Sequence, residues 1–409
     1  MGNVPPTPAS RSQSLPVTRP ASETSSTRRY GRQSLPGTNL MQNAKKRLQR
    51  NLEQVRQSTP SFHSVSSAAD ALSQQSTPSA CNSDTSYFHP NYKSLSSDQL
   101  VSCISQQNRP FHNFGNAKYS LPCDEEEQDR MMTLHFLVKH MFNGNFSAPV
   151  HHLLNEKRPN GEKFNVLDVG CGPGTWTLEM ATEYPEADFY GMDIAEIYPK
   201  TIKPANSHFL QDDILTCTQF KDEMFDYIFV RHVYGCFSVV EWDILMKVLL
   251  RLLKPGGYVE FREINPMVQD PGPITADIVN TLFITTLRTT RNIDPALAQH
   301  LTSIITNAGF DDLHHELVRV GSGWGECGDI AVNNLASAIR AYGIWLGPAV
   351  GINTSELERR ISILVEEGPL YRSYFNWHMA WARKPQSNRN SDNVAEWEGI
   401  NDFIHGYVE

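Results

Sequence analysis

Val166-Leu167-Asp168-Val169-Gly170-Cys171-Gly172-Pro173-Gly174-Thr175-Trp176 is an apolar run that meets three glycines on alternate positions and passes into a helical pattern. A strand that enters a glycine turn and opens a helix brings some ligand close to backbone, because a Cβ there would block both the tight turn and the approach. A dinucleotide fold uses the spacing GxGxxG, with amide donors at the helix N-terminus holding pyrophosphate. Here the spacing is GxGxG, position 175 is Thr, and Pro173 removes one amide donor. Asp168, two residues ahead of the first glycine, would repel a pyrophosphate and suits a ligand carrying an ammonium group. That favours an amino-acid-bearing nucleotide. A P-loop is excluded, because no Gly-Lys-Ser/Thr follows.

Outward from this turn the chain alternates between short apolar runs and helical patterns. Strands are predicted at 164–169, 188–192, 208–211, 227–230 and 258–262, with helices at 175–183 and 240–253. This alternation predicts an α/β fold with a mostly parallel, doubly wound, Rossmann-like sheet. Upstream, Asp124 and Glu127 read as a variant capping box ahead of the stripe Met131, Leu134, Leu137, Val138 and Met141, a helix with which the folded part begins. Downstream, helices are placed near 275–289 and 296–307, and a strand around 317–320. Helical patterns at 330–346 and 355–367 precede a last strand at 374–382, and this pair looks like an insertion at 321–370. With Gly321-Ser322-Gly323-Trp324-Gly325 at its start, the insertion is a natural substrate lid.

Asp168 to Gly174 resembles motif I of the class I S-adenosylmethionine-dependent methyltransferases, and further blocks follow in that family's order. Asp193, in Tyr190-Gly191-Met192-Asp193-Ile194, matches the acid that binds the ribose hydroxyls, with Ile194 beside the adenine. Gln211-Asp212-Asp213-Ile214 resembles the segment after the third strand, where Asp213 would accept from the adenine amino group. Phe225 to Val230 resembles motif IV, and Leu253-Lys254-Pro255-Gly256-Gly257-Tyr258 the turn into the fifth strand. Asn116 to Pro122, the acidic helix with Asp129-Arg130 and His135, Gly144 to Pro149, Glu179 to Pro185 and Lys203 to Asn206 add a likeness to fungal methyltransferases related to the secondary-metabolism regulator LaeA, over about residues 111 to 385. The resemblance implies S-adenosyl-L-methionine as cofactor, held by Tyr119, Asp168, Gly170, Cys171, Gly172, Gly174, Asp193, Ile194, Asp212, Asp213, Ile214 and Arg231. The resemblance also implies that the helix before motif I lies over the cofactor as an N-terminal helical cover, so Tyr119 would either help close the site or anchor that helix in the core.

Methyl transfer from a sulfonium is an in-line displacement in which positioning supplies most of the catalysis. A base is needed only when the acceptor carries a proton at neutral pH. The Asp/Asn-Pro-Pro-Tyr/Phe signature of amino-methylating enzymes is absent, since the stretch after the fourth strand is Val230-Arg231-His232-Val233-Tyr234. His232 there is a candidate base or a core histidine, and Glu263 is a second candidate base. Arg231 is expected to pair with Glu263 or to bind a substrate carboxylate. Trp176 reads as core. His314, His315 and His378 lack metal-ligand spacing, so no metal is expected.

Composition divides the 409 residues. Residues 1–110 hold 22 Ser and 12 Lys and Arg against 5 Asp and Glu, a net +7, whereas the remainder has 24 basic and 40 acidic residues, a net −16. The first segment is too poor in branched apolar residues to offset its ordering entropy and reads as a disordered basic tail. The domain is expected at 111–385, followed by an acidic tail at 386–409. The acidic domain opposes binding of DNA or RNA, leaving a small molecule or a protein as methyl acceptor.

Seven Cys without a CxxC pair and no apolar leader predict an intracellular protein, cytoplasmic or nuclear. No run approaches the ~20 apolar residues of a membrane span. Met1-Gly2 opens like a myristoylation signal, but Pro6 stands where Ser or Thr is needed. In the basic tail, Arg11-Ser12-Gln13-Ser14-Leu15-Pro16 resembles a 14-3-3 ligand once Ser14 is phosphorylated. Basic residues beside Leu40, Ala44, Leu48, Leu52 and Val55, and acidic ones beside Val394, Trp397, Ile400 and Ile404, give each tail one amphipathic stretch.

Overall fold

The computed structural model describes residues 103–106, 109–114, 119–159 and 161–386. The tails, with Ser14 and both amphipathic stretches, lie outside the described residues. Strands β3 (Phe164–Val169), β4 (Ala187–Asp193), β5 (Ser207–Gln211), β6 (Phe225–Arg231), β7 (Leu253–Gln269), β8 (Asp311–Gly321) and β9 (Tyr374–Arg383) form one sheet in the order β5-β4-β3-β6-β7-β9-β8. The first five are parallel; β9 runs antiparallel to both neighbours. β3 and β6 are nearly continuous buried apolar runs, as strands covered on both faces must be.

From β3 the chain winds out through α3 (Thr175–Glu183) to β4 and β5, then crosses back to β6 and continues through α4 (Val239–Leu252) to β7. The winding direction therefore reverses between β3 and β6. Ligands of open α/β sheets bind in the crevice outside the carboxyl ends at such a point. Trp176, on α3, closes one face: it stacks on Phe229 at 4.3 Å and donates from Nε1 to the Asn145 carbonyl at 2.8 Å. It is core, as the sequence suggests.

Helix α1 (Glu125–Met141) lies over the crevice. Asp124 caps it, accepting from the Glu127 amide at 3.0 Å, while the Glu127 carboxylate forks onto Arg130 and not back to the cap. Leu134, Leu137 and Val138 are buried and the flanking Met131 and Met141 half-buried, which confirms the stripe. After α2 (His151–Leu154) the chain enters β3. The late helices are α8 (Gly328–Val350) and α9 (Thr354–Tyr371), which pack with α1 over β7 and β9 around Ile339, Ile361 and Trp377.

Several boundaries differ from expectation for physical reasons. Ordered backbone begins before residue 111, with an antiparallel ribbon of β1 (Cys103–Gln106) and β2 (Arg109–His112), tied down by Arg109 Nη2 donating to Asp124 at 2.6 Å. β7 runs to Gln269 because antiparallel β9 continues to pair with it, Asn265 to Asn376 and Gln269 to Tyr374, beyond the reach of β6. The helix expected at 275–289 is α5 (Pro273–Thr275), a π-helical stretch over Ala276–Phe283 and then α6 (Ile284–Arg291). The next begins as a 3₁₀ turn, Pro295–His300, capped by Asp294, before α7 (Leu301–Asn307). Among the described residues no helix is long and apolar enough to cross a membrane.

Candidate functional site

The glycine turn spans 170–174, between β3 and α3. Gly170, Gly172 and Gly174 have φ of 69°, 55° and 74°, in the left-handed region that favours glycine. The turn is spliced to the end of β4: the Gly170 and Cys171 amides both donate to the Met192 carbonyl, at 2.9 and 3.0 Å, and the Gly172 amide to Asp193 Oδ2 at 2.8 Å. The three glycines serve different ends. A Cβ on Gly172 would meet Met131 Sδ of α1 at 3.3 Å across the opening, whereas one on Gly174 would meet the Phe209 ring at 2.7 Å. Gly172 keeps a cradle open; Gly174 packs the turn on β5.

Below α1 lies a cavity of about 390 Å³. Of the residues expected to face a cofactor, Tyr119, Gly170, Cys171, Gly172, Asp193, Ile194, Asp212, Asp213, Ile214 and Arg231 line it, and so does His232. Asp193 is pinned at the β4 end, accepting from the Gly172 amide and, through Oδ1, from the Ala195 amide at 2.8 Å. Burial pushes its pKa up and these amides pull it down. Asp213 Oδ1 accepts from the Leu215 amide at 2.9 Å, and Asp212 from the Asp213 amide and Gln219. Tyr119 both lines the cavity and packs beside Leu121, Phe283 and Tyr342.

Three expected site residues do not line the cavity. Asp168 is buried behind the turn and accepts from the Thr177 hydroxyl at 2.6 Å; burial raises its pKa to about 6, against the pull of Arg231. Gly174 is the packing glycine just described. Glu263 is fully buried and accepts from the Val233 and Tyr234 amides at 2.9 and 3.0 Å, so it braces the loop after β6 and is not a base facing an acceptor. Burial raises its pKa to about 8, with those amides opposing.

Arg231 does not pair with Glu263. Its Nη1 donates to His135 Nδ1 at 2.9 Å, and burial lowers its pKa to about 10, with Asp168 the largest opposing charge. His232 has a left-handed backbone, φ 57°, and its ring stacks on Trp377 at 5.8 Å. Its Nδ1 is buried without a hydrogen-bond partner, and burial, with Arg130 and Arg231, lowers its pKa to about 3. A base normally has its second nitrogen oriented by another group; His232 lacks that.

Sequence reasoning missed Met131, Arg130, His135 and Tyr342 as cavity walls. All four come from helices that cross the sheet; the resemblance includes Arg130 and His135 and the apolar stripe includes Met131, but neither places them at the cavity. Among the described residues no group of three or more His, Cys, Asp or Glu is arranged to hold a metal.

Residues 137–315 match the methyltransferase domain family. The methyltransferase pytC of Aspergillus terreus is 30% identical over 254 residues, covering 57% of this chain and 72% of its own length. The chain belongs to the S-adenosylmethionine-dependent methyltransferases. Its cofactor as a member of that family is S-adenosylmethionine. The secondary metabolism regulator laeA of Aspergillus fumigatus is 30% identical over 53% of this chain and 56% of its own length. The protein-methionine methyltransferase laeA of Emericella nidulans is 31% identical over 52% and 55%. The chain thus spans about half of the laeA proteins. Among solved structures, a Haemonchus contortus phosphoethanolamine N-methyltransferase aligns over 68% of this chain and 62% of its own, with 17% identity and a TM-score of 0.39. As a methyltransferase, the chain has a donor set suited to an ampholytic nucleotide: carboxylates on one wall, a cationic group at the β6 end and a glycine cradle between.

Proposed function

We propose that this chain transfers the methyl group of S-adenosylmethionine to a small molecule or a protein side chain that enters the cavity beside His232, Tyr234 and Tyr342. The observation that carries the reading is Asp193, a carboxylate held by two amides at the switch-point crevice with the Gly172 cradle beside it. In this arrangement Asp193 accepts from the ribose hydroxyls, Asp213 from the adenine amino group, and Ile194 and Ile214 sandwich the base. Bound there, the cofactor supplies an electrophilic methyl on a sulfonium.

The chain's own contribution is placement and exclusion of water. α1 covers the cavity through Met131, and Tyr119 and Tyr342 close the side facing α8. Phenols pushed above their ordinary pKa by burial, as Tyr119, Tyr234 and Tyr342 are, donate hydrogen bonds and do not abstract protons. With His232 neutral and unoriented and Glu263 turned away, the site supports an acceptor that presents its lone pair without deprotonation: a carboxylate, a thiolate or a thioether. The relative named for protein-methionine methylation and those named as regulators of secondary metabolism support the last of these and a regulatory role. A second reading, a regulator that binds the cofactor without essential turnover, is favoured by the same missing base.

Isothermal titration of S-adenosylmethionine and S-adenosylhomocysteine into the full chain and into Asp193→Ala tests the site. The expected result is micromolar binding to the wild type that weakens at least tenfold in the variant. Equal binding by both proteins would remove Asp193 from the site.

A further inference from the structure

A second, smaller void of about 60 Å³ adjoins the main cavity. Arg130, Leu134, His232, Tyr234 and Tyr342 line both, so this chamber begins where the acceptor is expected to meet the cofactor. Its far walls come from the parts of the fold least like a plain doubly wound sheet. Pro266 stands on the extension of β7, Val279 and Phe283 on the π-helical stretch, Leu335 and Ala338 on α8, and Trp377 on β9.

The chamber has no charge to offer. Arg130, the single cation among its lining residues, is matched by Glu127 at 2.6 Å and directs Nη1 to Asn334. Asn334 returns its own amide to the Arg130 carbonyl. His232 is neutral, and its ring lies on Trp377. An ionised group placed here would lose its water and gain no partner. An aliphatic one would fill space that water has little reason to enter, since cavities walled by apolar side chains stay dry.

Size narrows the class further. Liquid water takes about 30 Å³ per molecule, and benzene fills an engineered apolar cavity of about 150 Å³. A void of about 60 Å³ is too small for an aromatic ring and holds about two or three methylene groups.

We propose that this chamber is the specificity pocket for the methyl acceptor and takes a short, uncharged aliphatic arm next to the reacting atom; this rests on the transferase reading above. Leu335 and Ala338, three residues apart on one face of α8, set the length of arm it admits. The probes are the unbranched 1-alkanols from ethanol to 1-hexanol, titrated into the full chain saturated with S-adenosylhomocysteine and followed by ligand-observed nuclear magnetic resonance. In the wild type each added methylene is expected to tighten binding roughly three- to fivefold, the transfer of one CH₂ out of water, until the chamber is full and the gain stops.

Ala338→Leu fills the chamber and is expected to abolish the gain per methylene while S-adenosylhomocysteine binding changes less than about twofold. Leu335→Ala enlarges it and is expected to move the plateau to longer alcohols, and it also serves if Ala338→Leu does not fold. No gain along the series in the wild type, or the wild-type profile retained in the variants, would overturn the proposal. Failure of the wild type to bind S-adenosylhomocysteine would instead overturn the cofactor site, and the pocket with it.

Discussion

At Gly172 two constraints coincide: a backbone at φ 55° and a Cβ position that faces Met131 across the cradle. Gly172→Asp puts bulk and charge into the space assigned to the methionine end. The expected outcome is loss of S-adenosylmethionine binding by calorimetry with a cooperative thermal transition retained; unchanged affinity would contradict the cradle. The place of this residue in a tight turn is legible in the sequence from the spacing of the glycines, whereas the roles expected of Asp193 and Asp213 come from the family resemblance. Arg231 is half legible. Its place after the fourth parallel strand follows from the motif, but its partner His135 is 96 residues away and meets it only because α1 crosses the sheet. Asp168 shows the opposite failure: the sequence makes it face a ligand, and its Thr177 bond, nine residues on, turns it inward.

Among the elements, α1 and α8 are joined by a reciprocal pair. Asn334 Oδ1 accepts from Arg130 Nη1 at 3.1 Å, and its Nδ2 donates to the Arg130 carbonyl at 2.9 Å. Arg130 and Asn334 are both buried, so Asn334→Leu would strand two polar groups; a loss of about 1–3 kcal/mol is expected, read as a lower denaturant midpoint at an unchanged slope. Strand positions were legible because the apolar runs of β3 and β6 admit no other reading. The extension of β7 was not, since it depends on an antiparallel neighbour more than a hundred residues later. The π-helical stretch at Ala276–Phe283 leaves the same apolar pattern as an ordinary helix and has no signature of its own.

Over the whole molecule, burial holds three imidazoles neutral. The pKa is lowered to about 4 for His135, about 3 for His232 and about 4 for His378, in each case first by desolvation. In the unfolded chain they protonate near 6.5. Between that value and about pH 4 the unfolded state therefore binds more protons, and stability is lost as the pH falls. The raised carboxyls Asp168, Asp193, Glu263 and Glu367 act in the opposite sense over part of this window, while His315, lowered by burial as well, adds to the imidazoles. The thermal midpoint is expected to drop from pH 7 to pH 5; a flat or rising profile in scanning calorimetry would mean that these rings are not held neutral.

The splice between the glycine turn and the end of β4 bears on how this domain can be re-engineered. Every amide from residue 170 to 174 is either bonded within the protein or, at Pro173, missing. Grafting the third glycine of a dinucleotide fingerprint onto position 175 would restore a consensus without freeing a single donor. Conversion to a nicotinamide-dependent scaffold would require a new path for the backbone between β3 and α3, which places that change beyond stepwise point mutation.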